Sequence, residues 1–394
     1  MKVVLTTRLF APEVAAAAFR LKALADGLAA VGHQVTVLTT KPPANAGSQD
    51  FPNYRVVRWP VLRDPGGNVR GYVQYASYDF PLMARLLVRS ADVVITEPPP
   101  TTGVMAALVC LVRRTPLYYY AADIWSDALV AIDAPAAVSG LMRAFERFAL
   151  RRARGVIAVS DGVADRVHEF GVPRDRIKVA ANGVDTAQFH PMVDVPTGEP
   201  YFVYTGTMSE WQGADVFVRA MPIVLGKHPE VRLRFFGQGS AEPALKTLAA
   251  ELAPDNVEFG GVVPPAEAAR WIGGASGALV SIVPGKGYDF AKPTKIYAAA
   301  ACGTQVLFAG VGASADLVTA NTLGAVADYT PESVAAQMIA ILDGYAVDRQ
   351  HLVRWVQENA SLATTGRTVA QWITDDLGRS TKARTAVRAA SPEP

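Results

Sequence analysis

Residues 2–40 read KVVLTTRLFAPEVAAAAFRLKALADGLAAVGHQVTVLTT and decide the fold class. KVVLT (2–6) is a short β-branched run, AAAAFRLKALADGLAAV (15–31) has the apolar spacing of an amphipathic helix, and HQVTVLTT (33–40) is a second β-branched run. Gly32 follows the helix as its cap. The alternation predicts βα units stacked on a parallel sheet.

The same alternation continues to both sides of a region rich in turn formers and prolines, ANGVDTAQFHPMVDVPTGEP (181–200). We therefore expect an α/β protein with two doubly wound, Rossmann-like domains that face each other across a cleft. The predicted parts are an N-terminal domain over 1–190, a linker over 191–200, a C-terminal domain over 201–365 and a disordered tail over 379–394. The further predicted strands are 91–96, 116–120, 155–160, 201–206, 231–239, 256–261, 277–283 and 304–310.

Composition limits the function classes. The chain has 394 residues and a formal net charge of +2, which gives no reason to expect nucleic acid as a partner. Cys110 and Cys302 both lie in apolar helical patterns, so we expect core thiols and a reducing compartment. The most apolar window, GVMAALVCLV, is too short to cross a bilayer, and no signal peptide is evident at the start. A soluble, cytoplasmic protein is expected.

PTK (293–295) follows the loop GKGYDFAK and precedes the helix IYAAAACG. The N–H groups of a helix start favour an anion, Lys295 would add a full charge, and Thr294 would cap the helix or donate to an oxygen. A proline-started helix with a solvated lysine is the other interpretation, and from the residues alone it is the favoured one.

Two further loops follow predicted strands. GTMSEWQG (206–213) is either an ordinary turn or a backbone cradle for a phosphate around Gly206 and Thr207. FFGQGSAEPAL (235–245) resembles the start of a dinucleotide fingerprint at Gly237, but Glu242 stands at the third glycine position. A plain glycine turn fits that loop as well.

AADIWSDA (121–128) places Asp123 and Asp127 at the carboxyl end of a predicted strand, where ligands bind in such sheets. The alternative is a helix-capping aspartate beside an anchoring Trp125. The five histidines are scattered, and no D-x-D, H-E-x-x-H, C-x-x-C or Walker motif occurs, so no bound metal is expected.

Taken in order, these segments resemble the nucleotide-sugar glycosyltransferases of the GT-B fold, and within them the large retaining family four. The resemblance runs over nearly the whole chain and depends on the order and spacing of the motifs. In this fold the last helix, here 366–378, crosses back to the first domain. The segments that carry the resemblance are FAPEVAAAAFRLKALADGLAAVGHQVTVLTTKPP, ADVVITEPPPTTGVMAAL, DIWSD, RRARGVIAVSDGVADRVHEFGVPRDRIKVAANGVDTAQF, YTGTMSEWQGADVFVRAM, RLRFFGQGSAEPAL, VEFGGVVPPAE and PTKIYAAAACGTQVLFAG.

The resemblance implies that a nucleoside diphosphate sugar binds the second domain and an acceptor the first. Lys295 and Asp123 would be the catalytic residues, without any metal cofactor. The acceptor would be a small molecule, a glycan or a lipid-linked sugar, with at most peripheral membrane contact. The implied donor-binding residues are Gly206, Thr207, Gln212, Gly237, Val262, Pro264, Phe290, Pro293, Thr294 and Lys295. The implied acceptor-binding residues are Arg8, Glu13, Asp123, Trp125 and Asp127.

Two departures from the family pattern stand out. Thr207 and Gln212 occupy places where many members have an arginine and a lysine for the diphosphate. A subgroup that makes bacterial surface sugars shares this pattern and carries its cation on a proline-serine-lysine helix, which PTK fits. The family's two glutamates, eight positions apart, fall on Phe290 and Ala298. These losses keep two rivals open beside a retaining hexosyltransferase: an inactive glycosyltransferase-like scaffold, and a GT-B nucleotide-sugar epimerase.

Overall fold

The computed structural model divides the chain into two compact units, Met1–Asn182 with Leu362–Pro394, and Gly183–Ser361. We call them unit 1 and unit 2. The structure describes residues 1–13, 15–43, 46, 49–64, 67, 69, 71–127, 135–181, 183–192, 194–196 and 198–390, with side chains up to residue 379.

Unit 1 contains a seven-stranded, wholly parallel sheet in the order β3-β2-β1-β4-β5-β6-β7. The order reverses between β1 and β4, which places a topological switch point there. Its strands are β1 Lys2–Thr6, β2 Gln34–Thr40, β3 Arg55–Trp59, β4 Val93–Thr96, β5 Leu117–Ala121, β6 Gly155–Ala158 and β7 Ile177–Val179. Its described helices are α1 Ala16–Ala30, α2 Tyr72–Val88, α3 Pro100–Arg113, α4 Ala136–Arg152, α5 Asp161–Glu169 and the C-terminal α13 Leu362–Ala390, with a 3₁₀ turn at Arg174–Arg176.

Helices cover both faces of the unit 1 sheet, because alternate residues of each strand point to opposite sides. Val3 and Leu5 pack with residues of α1 and α13, whereas Val4 packs with residues of α2 and α3. The α1 and α13 helices approach so closely that a Cβ on Gly366 would overlap the carbonyl of Ala23. This packing makes the C-terminal helix part of unit 1.

Unit 2 contains a six-stranded parallel sheet in the order β10-β9-β8-β11-β12-β13, which reverses between β8 and β11. Its strands are β8 Tyr201–Thr205, β9 Arg232–Phe236, β10 Val257–Phe259, β11 Gly277–Ser281, β12 Val306–Ala309 and β13 Gly324–Ala327. Its described helices are α6 Asp215–Leu225, α7 Glu242–Leu252, α8 Pro265–Gly273, α9 Thr294–Ala301, α10 Ala313–Ala320, α11 Pro331–Leu342 and α12 Arg349–Asn359.

The predicted fold class, two doubly wound α/β units, is confirmed. The core assignment of the cysteines is confirmed as well, since Cys110 and Cys302 are both buried free thiols. Seven of the described strands and helices were not predicted from the sequence: β3, α2, β7, β13, α10, α11 and α12.

The predicted linker 191–200 is wrong as a connection between units, because the chain already belongs to unit 2 from Gly183 onward. The Val184 amide donates to the Ala360 carbonyl at 2.9 Å, and Arg270 forms an ion pair with Asp194 at 2.8 Å. These two contacts hold the chain against the rest of unit 2, one just after Gly183 and one within the predicted linker.

The predicted 366–378 helix exists but is longer, since α13 begins at Leu362 and ends at Ala390. Most of the segment predicted to be a disordered tail is therefore helical, and residues 391–394 lie outside the described part of the chain. No helix within the described residues is long and apolar enough to cross a membrane.

Candidate functional site

The predicted donor residues of unit 2 gather at the carboxyl ends of β8 and β11, the two strands at its switch point. Gly206 and Thr207 follow β8 directly and are exposed. Lys295 lies in the first turn of α9, the helix that follows β11. Ligands of open α/β sheets bind at this position, so the topology brings these three residues to the expected place.

Gly206 and Gly237 shape this edge through backbone contact. Gly206 has φ +99° and Gly237 has φ +135°, and the Gly206 carbonyl oxygen occupies the space that a Gly237 Cβ would need. The Gly206 amide donates to the Phe236 carbonyl, and the Gly237 amide donates to the Gly261 carbonyl, both at 2.7 Å. Glycine is therefore required at position 237 so that the loops after β8 and β9 can pack together. This contact explains Gly237 as a structural residue at this edge of the sheet. Because the Gly206 amide is bonded to Phe236, it is not available to a phosphate, and the predicted backbone cradle is wrong at Gly206.

Lys295 is half-buried and points back over the end of β8. Its Nζ lies 3.7 Å from the centre of the Tyr204 ring and 3.4 Å from the Thr207 carbonyl oxygen, to which it donates. Within the described residues, no carboxylate forms an ion pair with it. Desolvation lowers the pKa of the Lys295 ammonium to about 7. A cation without a carboxylate partner at the end of a switch-point strand can take up an anionic ligand.

The start of α9 adds backbone donors beside this cation. Pro293 occupies the cap position, and no side chain accepts a hydrogen bond there. Thr294 is the first helical residue and is exposed, so its predicted role as the cap is wrong. Its hydroxyl has no hydrogen-bond partner in the described part of the chain and can donate to a ligand oxygen. The uncapped N–H groups and the helix dipole favour an anion at this end.

Gln212 lies under the same edge. Its side chain is buried, and its Oε1 is 3.0 Å from the Tyr204 hydroxyl, which is also 3.0 Å from the Thr207 carbonyl oxygen. Gln212 thus contacts the ring that faces Lys295. Its predicted contact with a donor stays a prediction.

Phe290 and Val262 are exposed at this end of unit 2, at 75% and 68% respectively. Pro264, at the start of α8, is exposed too. Phe290 lies in a loop that is tied to α10, because the Asp289 carbonyl accepts from the Ala313 amide at 2.9 Å. These side chains are accessible to a ligand, as their predicted donor-binding roles require.

Ala298 lies on the buried side of α9. It is 7% exposed and packs in the same core cluster as Ala299, Ala300 and Ala301. The position where the family places its second glutamate is therefore part of a turn of four consecutive buried alanines, whose side chains can accept no hydrogen bond.

In unit 1, Arg8 and Trp125 come together at the carboxyl end of the sheet. The Arg8 guanidinium lies 4.2 Å from the centre of the Tyr75 ring and 5.9 Å from that of Trp125, and Tyr75 meets Trp125 edge-on at 5.7 Å. Arg8 also donates to the Val69 carbonyl at 2.8 Å, while its buried Nε has no partner within the described residues. This arrangement holds a planar cation over the Tyr75 ring and within reach of Trp125.

Glu13 lies in the loop after β1 and is buried. One of its carboxylate oxygens accepts from Arg63 at 3.0 Å, and the other has no partner within the described part of the chain. One carboxylate oxygen of Glu13 is thus paired with the Arg63 cation. The predicted contact of Glu13 with an acceptor stays a prediction.

Asp123 and Asp127 have different surroundings. Asp123 is exposed just past β5, and desolvation raises the pKa of its carboxyl against the opposing charge of Arg20. Both carboxylate oxygens of Asp127 accept from Arg166, at 2.6 and 2.7 Å. This paired geometry ties the segment to α5, which explains Asp127 without an acceptor.

Glu146 was not predicted as a site residue, yet it orders the DIWSD segment. It projects from α4, is 1% exposed, and accepts from the Trp125 amide at 2.9 Å, the Ser126 amide at 3.1 Å and the Ser126 hydroxyl at 2.7 Å. Burial raises the pKa of its carboxyl, although these hydrogen bonds oppose the shift. The carboxylate therefore fixes the backbone that presents Asp123 and Trp125.

A second buried group was also missed. Glu97 follows β4, accepts from the Thr7 hydroxyl at 2.5 Å and forms an ion pair with Arg20 at 3.4 Å. Desolvation raises the pKa of the Glu97 carboxyl. Because β1 and β4 flank the switch point of unit 1, this network fixes the loops on both sides of it. The only signal in the sequence was a glutamate directly after a predicted strand.

Two family models match the chain, one over each half. Residues 17–188 match the model described as Glycosyltransferase Family 4, and residues 199–344 match the model described as Glycosyl transferases group 1. The D-inositol 3-phosphate glycosyltransferase of Acidothermus cellulolyticus is 30% identical over 193 residues, 44% of this chain and 42% of that protein. The putative colanic acid biosynthesis glycosyltransferase WcaL of Escherichia coli is 28% identical over 193 residues, 48% of each chain. The match thus spans about half the length of these curated relatives or less.

Solved structures share the fold over nearly the whole chain. HepE of Anabaena, in complex with UDP and glucose, superposes with a TM-score of 0.67 at 16% identity, covering 95% of this chain and 99% of that one. A glycosyltransferase of Rickettsia africae reaches a TM-score of 0.70 at 14% identity, covering 95% and 98%. Likeness at this level of identity concerns the fold alone. With one family model matching in each unit, the chain belongs to glycosyltransferase family 4, with the GT-B fold.

Proposed function

We propose that the protein transfers a sugar from a nucleoside diphosphate sugar to an acceptor hydroxyl and keeps the anomeric configuration. Unit 2 binds the donor, and unit 1 binds the acceptor. The observation that carries the proposal is Lys295, a cation without a carboxylate partner in the described residues, held over Tyr204 at the start of an uncapped helix.

In the proposed reaction, most of the negative charge develops on the leaving diphosphate. The acceptor oxygen bonds to the anomeric carbon, the bond from that carbon to the diphosphate oxygen breaks, and the electron pair goes to the diphosphate. In a front-face displacement the acceptor proton passes to a diphosphate oxygen, so that no protein base is required. Lys295 and the N–H groups of α9 would stabilise the charge that develops there, and each fixed contact of this type contributes about 2.7–4 kcal/mol.

A nucleoside diphosphate fits this end of unit 2 chemically. Gly206 and Thr207 are exposed, the Thr294 hydroxyl has no partner within the described residues, and the exposed Val262 and Pro264 offer an apolar surface for a base. Two solved structures of HepE contain UDP, one with glucose beside it, and a third contains UDP-glucose. For this chain the nucleotide and the hexose are part of the proposal.

The acceptor role of unit 1 relies on two accessible groups. Asp123 is an exposed carboxylate that can accept a hydrogen bond from a sugar or inositol hydroxyl. Trp125 and Arg8 provide an aromatic face and a cation beside it. We propose that the diphosphate charge is neutralised by Lys295 and the N–H groups of α9 rather than by a metal ion, and activity that persists in the presence of a chelator would agree.

The test combines binding and product analysis. Isothermal titration with UDP, GDP, ADP and dTDP identifies the nucleotide, and an inactive scaffold need bind none of them. Incubation with the matching nucleotide sugars and acceptors, including D-inositol 3-phosphate, then shows transfer, and proton NMR of the fresh product gives its anomeric configuration. Inversion would refute the retaining mechanism. Release of free nucleoside diphosphate and a rearranged sugar without an acceptor would instead indicate the epimerase.

A further inference from the structure

One surface of unit 1 exposes an unusual number of large apolar side chains. It is formed by α2, α3 and α4, and we call it the α2–α4 surface. Val73 is 65% exposed, Phe80 59% and Val112 75%. Leu87, Leu108 and Leu111 are exposed as well. Contiguous apolar exposure of this kind marks an interaction site more often than scattered single residues do.

These side chains lie on one continuous surface. On α2, Val73, Phe80 and Leu87 recur every seven residues and so share one helix face. Helix α3 lies between α2 and α4: Thr102 donates to Asp79 of α2 at 2.5 Å, and a Cβ on Gly103 would contact Ala149 of α4 at 3.0 Å. All three helices cover the same side of the sheet, so their outward faces point the same way.

The same surface is basic and presents no carboxylate. The acidic side chains of the three helices are Asp79 and Glu146, which are 2% and 1% exposed. Within the described residues, no ion pair to a carboxylate is formed by the arginines of this surface. Its exposed arginines are Arg113, Arg114, Arg143, Arg147, Arg151 and Arg152.

We propose that the α2–α4 surface docks the protein onto an anionic lipid bilayer. The apolar side chains would enter the boundary between headgroups and acyl chains, while arginines, whose long stems reach outward, would contact lipid phosphates. Anionic lipids attract such basic clusters over about a Debye length, so the attraction weakens as salt rises.

Charge and apolarity together favour this occupant over two others. A second copy of the chain docked through the same surface would bring arginines against arginines. Nucleic acid would satisfy the arginines but would leave Val73, Phe80 and Val112 without apolar partners. A bilayer satisfies both.

The surface begins beside the predicted acceptor residues. Val73 lies in the first turn of α2, and Tyr75, two residues on, holds Arg8 at 4.2 Å from its ring. If unit 1 binds an acceptor as proposed above, docking would place a lipid-linked acceptor within reach of Arg8. This last step rests on the proposed function, whereas vesicle binding does not.

The experiment is flotation of the full chain with vesicles, in the absence of any nucleotide sugar. Vesicles of phosphatidylcholine with about a third phosphatidylglycerol are compared with vesicles of phosphatidylcholine alone, at low and high salt. The charge variant is Arg114→Glu with Arg147→Glu, and the apolar variant is Phe80→Ser with Val112→Ser. Lys227→Glu with Arg354→Glu, two exposed residues of unit 2, makes the same change in net charge elsewhere. Circular dichroism and thermal unfolding confirm that each variant is folded.

We expect the wild type and the unit 2 control to float with the anionic vesicles and to be released by salt. At least a tenfold loss of bound fraction is expected for the charge and apolar variants. The proposal is overturned if the wild type does not bind anionic vesicles at low salt, if either surface variant binds as well as wild type, or if the wild type binds duplex DNA but not vesicles. Because no nucleotide is present, these outcomes are independent of whether the donor proposal holds.

Discussion

The Lys295 ammonium lies 3.7 Å from the centre of the Tyr204 ring, although the two residues belong to different βα units of unit 2. The contact joins β8, the strand that precedes the exposed Gly206, to α9, the helix whose start has no side-chain cap. An aromatic face stabilises a cation without neutralising it, so the charge stays available to an anionic ligand.

The first prediction concerns pH. In the free protein desolvation lowers the pKa of Lys295 to about 7, and a bound diphosphate favours the charged form and raises that pKa again. Nucleotide affinity should therefore be greatest below about pH 7 and should fall as pH rises through that value, by up to about tenfold per pH unit. Titration calorimetry from pH 6 to 9 measures it.

The control for this pH dependence is Lys295→Arg, because arginine stays protonated throughout the range. The decline above about pH 7 should be much smaller in this variant. If both proteins lose affinity in parallel, the titrating group is not Lys295.

The second prediction concerns the close contact between Gly237 and the Gly206 carbonyl at the carboxyl end of the unit 2 sheet. Gly237→Ala would place a Cβ against the Gly206 carbonyl at φ +135°, so the loops after β8 and β9 must separate. We expect a loss of about 1–3 kcal/mol in the free energy of unfolding and weaker nucleotide binding. Denaturant unfolding and titration calorimetry measure the two effects.

Gly140→Ala is the matched control, since Gly140 lies inside α4 and a Cβ there would meet no atom within 4 Å. That variant should be stabilised by about 0.5–1 kcal/mol. Equal stability and nucleotide affinity in Gly237→Ala and wild type would show that the loops tolerate the side chain.

The third prediction concerns Ala298. A carboxylate at this position would be buried in the alanine turn of α9, so Ala298→Glu should destabilise the protein by several kcal/mol. The same substitution at Ala266, which is exposed on α8, should be nearly neutral. Thermal unfolding of both variants separates these cases.

A different result would revive the family's ribose contact at this position. If Ala298→Glu stays folded and binds UDP more tightly while dTDP binding is unchanged, the new carboxylate reaches a ribose hydroxyl. The burial argument would then be wrong.

The fourth prediction concerns the DIWSD segment. Glu146→Gln puts an amide where three donors now meet a carboxylate, so the backbone of Trp125 and Ser126 should lose order at a cost of about 1–3 kcal/mol. We expect a higher KM for the acceptor and an unchanged nucleotide dissociation constant. Glu358→Gln, on the exposed surface of α12, should change neither value. A defect in nucleotide binding alone would contradict the assignment of the acceptor to unit 1.

The elements that sequence reasoning located and missed differ in their local patterns. β1 and α1 follow strict periodicities, and their observed bounds lie within one residue of the predicted ones. The strand RVVRW (55–59) has only two valines, between two arginines, at the sheet edge, and α2 contains Pro81, so neither matched a simple template. Weak edge strands such as GAVA (324–327) depend on pairing with a neighbour that the local sequence does not encode.

At the site, too, sequence reasoning located residues but did not identify the partners that they contact. Motif order located Lys295, Gly206 and Asp123, because each lies just after a strand or at a helix start. The partners that decide what these residues do come from distant segments: Tyr204 lies 91 positions before Lys295, and Glu146 lies 20 positions after Ser126. Long-range packing sets such contacts, and no periodicity in the sequence signals them.

The central claim is that Lys295 binds the diphosphate of a nucleotide-sugar donor. Its most direct test is the nucleotide dissociation constant of Lys295→Ala, measured by titration calorimetry at pH 6.5 beside wild type and Lys227→Ala, a variant of an exposed lysine in the same unit. We expect Lys295→Ala to weaken binding about tenfold or more with an unfolding temperature no lower than wild type, because removing a desolvated cation does not harm the core. Lys227→Ala should match wild type. A folded Lys295→Ala protein with wild-type affinity and turnover would contradict the account.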